Sequence, residues 1–150
     1  MTTQEERDAY EEATRLIIRE AAGDNMAAAH YLLNLAYISR TIDDIYDEDQ
    51  VVSREQMLEA VEYLLIEMPF NPFFIKHRDT LQSQHLSMYN AWMAANIWEK
   101  GDETEQMYGH VWRDLHHEIW PIVALLTQGS RKMNEVSLKI RQLFKKELGE

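Results

Sequence analysis

The sequence contains no cysteine. A disulfide framework and a thiolate metal site are both excluded. No uninterrupted apolar run approaches the length of a bilayer span; the longest, residues 119–126, is far too short. Basic residues are scarce: 15 Lys and Arg stand against 26 Asp and Glu, a net charge of -11. Such a surface repels a phosphate backbone, so direct nucleic-acid binding is not expected. The opening MTTQEERDAYEE is acidic and polar, the opposite of a secretory or organellar leader, and a cytoplasmic location is the expectation. No glycine-rich phosphate loop, nucleophile elbow, zincin motif or His-Asp dipeptide occurs. Internal repeats, low-complexity segments and convincing strand patterns are missing too.

What is present is helical periodicity. Thr3 with Glu6 fits a capping box, with Thr2 and Glu5 as the alternative frame, and Gly23 is a stop. A first helix is expected over about residues 4–22. Asp24 or Asn25 caps a second, whose stripe is Tyr31, Leu35, Ile38, Ile42 and Ile45. Ser53 and Gln56 form another capping box, ahead of Met57, Val61, Leu64 and Leu65. PFNPFFIKH, with two prolines and three phenylalanines, reads as a break and an apolar plug. A fourth helix aligns Leu86, Tyr89, Met93 and Ile97. A fifth, over about residues 103–128, carries Tyr108, Val111, Leu115, Ile119, Ile122 and Leu126. It should kink at Pro121, whose ring clashes with the His117 carbonyl. The last helix is amphipathic through Val136, Ile140, Leu143 and Phe144. Residues 131–150 carry 6 basic and 3 acidic residues, a basic tail on an acidic body. The expectation is one all-α domain, a bundle of about six helices.

Chemistry concentrates in two places. Five acids, Asp43, Asp44, Asp47, Glu48 and Asp49, fall within seven residues behind Arg40. Like-charge neighbours three or four apart on a helix cost about 0.2–0.5 kcal/mol each. Acids near a helix C-terminus also oppose its dipole. A bound cation would relieve both, and hard oxygen ligands suit Mg2+; the alternative is a frayed, solvated acidic end. The second place is WRDLHHE, where Asp114 and Glu118 are four apart. His110, Asp114 and His117 share one face there, a set able to bind zinc or iron, or simply a polar outer face. Glu59-x-x-Glu62 resembles half of the paired acidic motif of all-α nucleotide pyrophosphohydrolases, without the downstream partner.

Arg40-x-x-Asp43-Asp44-Ile45-x-Asp47-Glu48 resembles the first aspartate-rich motif of the squalene and phytoene synthase family. Arg113-Asp114-Leu115-x-x-Glu118 is similar to that family's second motif, with His117 where an acid normally stands. The resemblance implies helices that hold Mg2+ between them for a prenyl diphosphate. Asp43, Asp44, Asp47, Asp114 and Glu118 would be its metal residues. Arg40 and Arg113 would lie near the phosphates; His110 and His117, from the shared face of the second stretch, are further candidate ligand-binding residues.

Neither motif completes a catalytic set. The primary expectation is therefore a small acidic helical protein acting through protein–protein interaction or self-association. A Mg2+-dependent diphosphate-binding bundle is the alternative.

Overall fold

The computed structural model describes residues 3–146, with the backbone alone at 146. The alternative Thr2 cap and residues 147–150 of the tail helix lie outside the described residues. Those described contain no strand and form seven principal helices. They are α1 (Gln4–Ala22), α2 (Met26–Asp47), α3 (Arg54–Glu62), α4 (Arg78–Trp98), α5 (Glu103–Asp114), α6 (Ile119–Gln128) and α7 (Ser130–Lys146). No helix among the described residues is long and apolar enough to cross a membrane.

Caps set the boundaries. The Thr3–Glu6 and Ser53–Gln56 capping boxes both form, and Asp102 makes a third with Glu105. Asn25, rather than Asp24, caps α2, its side chain accepting from the Ala28 N–H at 2.9 Å. The expected long fifth helix is interrupted. A 3-10 turn at Leu115–Glu118 separates α5 from α6. It contains the His117 carbonyl that the Pro121 ring would meet in a regular helix, so the chain tightens there before resuming. The third helix also departs from regularity: α3 runs into a π-helical turn at Tyr63–Glu67, then a short turn at Met68–Phe70.

The chain divides into two compact units. The terminal unit comprises the stretch up to Gly23 and everything from Asp79; the middle unit is Asp24–Arg78. In the terminal unit α1, α6 and α7 pack on one another. Ile17, Ile18 and Ala21 of α1, Ile119, Trp120, Val123 and Ala124 of α6, and Val136, Ile140 and Phe144 of α7 are buried. The basic tail helix thus lies on its own unit. Its Lys139 meets Glu20 at 2.7 Å, its Lys132 meets Glu20 at 3.6 Å, and its Arg141 pairs with Glu118. The last carbonyls of α1 are satisfied from α6. The Thr127 hydroxyl donates to the Ala21 carbonyl at 2.7 Å, and Gln128 Nε2 donates to the carbonyls of Glu20 and Ala21. The chain turns away at Gly23, with φ 58°.

In the middle unit, Tyr31 is fully buried between Phe73 and Phe74, at 6.0 and 5.9 Å between ring centroids. The plug therefore forms, as a single helical turn at Pro72–Lys76, with its third phenylalanine, Phe70, left exposed. Asn71 caps that turn. It accepts from the Phe73 and Phe74 N–H groups and donates to the Ala27 carbonyl of α2.

Candidate functional site

The two aspartate-rich stretches lie in different units: Arg40–Glu48 in the middle one, Arg113–Glu118 in the terminal one. Helix α2 continues to Asp47, so Asp43, Asp44 and Asp47 share its last turns, with no basic residue in the final one. Asp43, Asp44 and Arg40 are half-buried and Asp47 is exposed. Glu48 ends the helix in the left-handed conformation, φ 56°. The acids are thus adjacent, as their spacing requires.

In the terminal unit Arg113, His117 and Glu118 of the second stretch each meet a side chain of another element. Arg113 Nη2 donates to Asn96 Oδ1 at 2.8 Å and meets Glu99 Oε1 at 2.7 Å, tying α5 to the end of α4. Gly109 makes that approach possible. A Cβ there would lie 3.3 Å from the Ala95 carbonyl oxygen and 3.4 Å from Trp98 Cβ. Glu118 is held by Arg141 of α7. His117 is buried, with Nε2 3.3 Å from the Tyr10 hydroxyl. Its Nδ1 lies 3.4 Å from Asp114 Oδ1, within ion-pair reach but without hydrogen-bond geometry. His110 stacks on Phe144 at 4.2 Å, and His117 meets the same ring edge-on at 4.9 Å. Burial pushes the His110 imidazole below its ordinary value, against the pull of the Asp114 carboxylate. His110, Asp114 and His117 therefore do lie together, as a packed polar seam between α5 and α7. Among the described residues no group of three His, Asp or Glu side chains is placed to hold a metal ion.

The middle unit contains a cluster that residue spacing did not reveal. Glu59 of α3 accepts from the Tyr63 hydroxyl at 2.7 Å and from the Tyr37 hydroxyl of α2 at 2.9 Å, the two rings meeting edge-on. These hydrogen bonds, Tyr63 first, hold the Glu59 carboxyl below its ordinary value and push the Tyr63 phenol up to about 12. Asn34 Nδ2 donates to Glu67 in parallel, at 3.0 Å. Only the Tyr63–Glu59 link, four residues apart, was readable as a helical neighbour. The α2–α3 links needed the fold.

The larger surprise is where the apolar stripes point. Ile42 and Ile45 of α2, Met57 and Val61 of α3, and Tyr108, Val111 and Leu115 in and after α5 are exposed. In the π turn Leu64, Leu65 and Ile66 are all exposed. This turn therefore leaves much of its apolar surface in solvent. His85, Tyr89, Trp92 and Asn96 recur at helical spacing along α4, and of them only Asn96 is buried; of the four tryptophans only Trp120 is buried. A shallow groove of about 310 Å3 between α1 and α7 is lined by Leu16, Ile17, Glu20, Lys139 and Leu143 among others.

Comparison with known families, with curated proteins and with solved structures returned no match.

Proposed function

We propose that this protein acts by binding other proteins, and that its middle unit receives a basic amphipathic helix. The observation that carries this reading is the joint exposure of aliphatic and acidic side chains on one short segment. Leu58, Val61, Leu64, Leu65 (67% exposed) and Phe70 (77% exposed) stand in solvent among Glu55, Glu59, Glu62 and Glu67. The unit as a whole carries ten acids against four Lys and Arg. Contiguous apolar surface of this kind on a folded protein marks interaction sites. Acids around it select a basic partner and speed the encounter. A partner's amphipathic helix would lay its apolar face on these side chains and its Lys and Arg beside the acids.

The test is fluorescence anisotropy with a labelled model helix of alternating Lys and Leu faces, titrated with wild type and with Leu65→Ser/Phe70→Ser. Both side chains are exposed, so the fold should survive their loss. Burying each contributes about 1.5–3 kcal/mol, so the double variant should bind at least tenfold more weakly. Wild type that fails to bind, or a variant that binds equally well, would overturn the reading.

A second reading rests on Asp43 and Asp47, one turn apart on α2: a pair of carboxylates of the kind that holds Mg2+ together with the oxygens of a bound diphosphate. Ligand binding to the native state raises its stability. Millimolar Mg2+ should then raise the melting temperature of wild type but not of Asp43→Asn/Asp47→Asn. Equal melting with and without the metal would remove this reading.

A further inference from the structure

The exposed face of α4 differs in kind from the acidic face of the middle unit. From Thr80 to Trp98 the chain has no Asp, Glu, Lys or Arg, although such residues make up 27% of the sequence. The other long uncharged stretches supply core: residues 25–39, most of them in α2, bury Ala28, Tyr31, Leu32 and Ile38, and α6 buries Ile119, Trp120, Val123 and Ala124. Helix α4 is apolar on two sides. Leu81, Met88, Ala91 and Ala95 are buried, while Leu86 (71%), Tyr89 (62%), Met93 (37%) and Ile97 (68%) form a continuous exposed stripe on the opposite side. Beside that stripe lie exposed Gln82, Ser83, Ser87 and Asn90.

We propose that this stripe is a homodimer interface, and that its occupant is α4 of a second copy, packed antiparallel about a two-fold axis near Asn90. Three observations favour a copy over another partner. The first is charge. A chain with net charge -11 repels itself wherever acids face acids, and this face carries none. The second is self-complementarity. Every polar group on the face is an amide or a hydroxyl, each both donor and acceptor, so each can pair with its own kind across a two-fold. Shape agrees as well: antiparallel about Asn90, Leu86 of one copy meets Met93 of the other, and Ile97 meets the small Ser83. The third is area. With full side-chain areas of about 200 Å2, the four apolar residues offer roughly 500 Å2 per copy. Two copies then bury about 1,000 Å2 before the flanking polar residues are added, close to the roughly 1,200–2,000 Å2 of a specific interface. Small Ser83 and Ser87 allow the helix axes to approach to about 8–10 Å.

The proposal does not rest on the acidic face of the middle unit, and Leu65→Ser/Phe70→Ser should leave it unchanged. Sedimentation velocity on the full chain, from low to hundreds of micromolar, should show the mass rising from one copy to two. Leu86→Glu/Ile97→Glu brings like charges together across the axis and should remain at one copy, with an unchanged far-UV spectrum. Because the chain has no cysteine, Asn90→Cys gives a second test that needs no loss of fold. It should oxidise to a disulfide-linked dimer, while Glu135→Cys, exposed on α7, should not. A mass of one copy at every concentration would overturn the proposal. So would a dimer that persists in the glutamate variant, or an Asn90→Cys chain that cross-links no faster than the control.

Discussion

Asn71 holds the middle unit together at one point, and its replacement tests the account of that unit's stability. The residue is 9% exposed, and Phe73 and Phe74 behind it are 4% and 7% exposed. Its Oδ1 accepts from the Phe73 and Phe74 N–H groups at 2.9 and 3.1 Å, and its Nδ2 donates to the Ala27 carbonyl at 2.9 Å. Asn71→Ala removes an N-cap, about 1 kcal/mol. It also removes a tie between α2 and the plug, about another 1 kcal/mol, and strands amides with little access to water, at roughly 1–3 kcal/mol. The expected loss is about 3–5 kcal/mol. Asn71→Asp keeps the acceptor and places negative charge at a helix N-terminus, but loses the donor to Ala27, so its loss should be about half as large. Urea unfolding followed by far-UV circular dichroism measures both variants. Hydrogen exchange of the Phe73 and Phe74 amides localises the effect. Tryptophan fluorescence would not, because Trp92, Trp98, Trp112 and Trp120 all lie in the terminal unit. An Asn71→Ala variant within about 0.5 kcal/mol of wild type, or an Asp variant weaker than the Ala one, would refute the reasoning.

Further outcomes follow from other sites. Tyr63→Phe removes the stronger of two hydrogen bonds to Glu59, so the Glu59 carboxyl should titrate closer to the ordinary glutamate value by NMR. Stability linked to that depressed value is present at neutral pH and lost as pH falls through the folded value, so the acid limb should also soften. Burial holds His85 and His110 below the ordinary imidazole value. The unfolded chain then binds more protons than the folded one, so melting temperature should drop as pH falls through about 6.5. His110→Gln should flatten that slope, and a slope identical to wild type would show that His110 plays no part. Gly23→Ala forces a side chain to φ 58°, with its Cβ 3.0 Å from Gln128 Cδ. It should cost roughly 1–3 kcal/mol in thermal or urea unfolding.

Where the chain starts and stops its helices was written locally, and local rules read it. Thr3–Glu6, Ser53–Gln56, Asp102, Gly23 and Gly129 sit at helix ends because caps and left-handed exits depend on a few consecutive residues. Pro121 likewise marked the interruption before α6. What periodicity could not supply is which side of a helix is covered. On α4 the larger stripe, Leu86 to Ile97, drew the eye, yet the packed side is the one with Ala91 and Ala95. Small residues let Gly109 bring α5 close there. The π turn at Tyr63–Glu67 was equally invisible, since Tyr-Leu-Leu-Ile-Glu suits a regular helix. Tyr10 with His117, Glu118 with Arg141, and Gln128 with Glu20 join residues far apart in sequence, and no spacing rule reaches that distance. The same holds for the candidate sites. Adjacency of Asp43, Asp44 and Asp47 was legible, whereas the partners of Asp114 and Glu118 were not.

Calorimetry reads directly whether exposed apolar surface of the middle unit is used for association. The basic model helix should be titrated into the protein at several temperatures, with wild type and Leu65→Ser/Phe70→Ser compared. Burial of apolar surface gives a negative heat-capacity change on binding. Wild type should give a clearly negative value that shrinks in the variant while binding persists weakly at low salt. A heat-capacity change near zero in wild type, with binding abolished by moderate salt and indifferent to the substitutions, would mean that the acids alone attract the helix, and would contradict that use of the apolar surface.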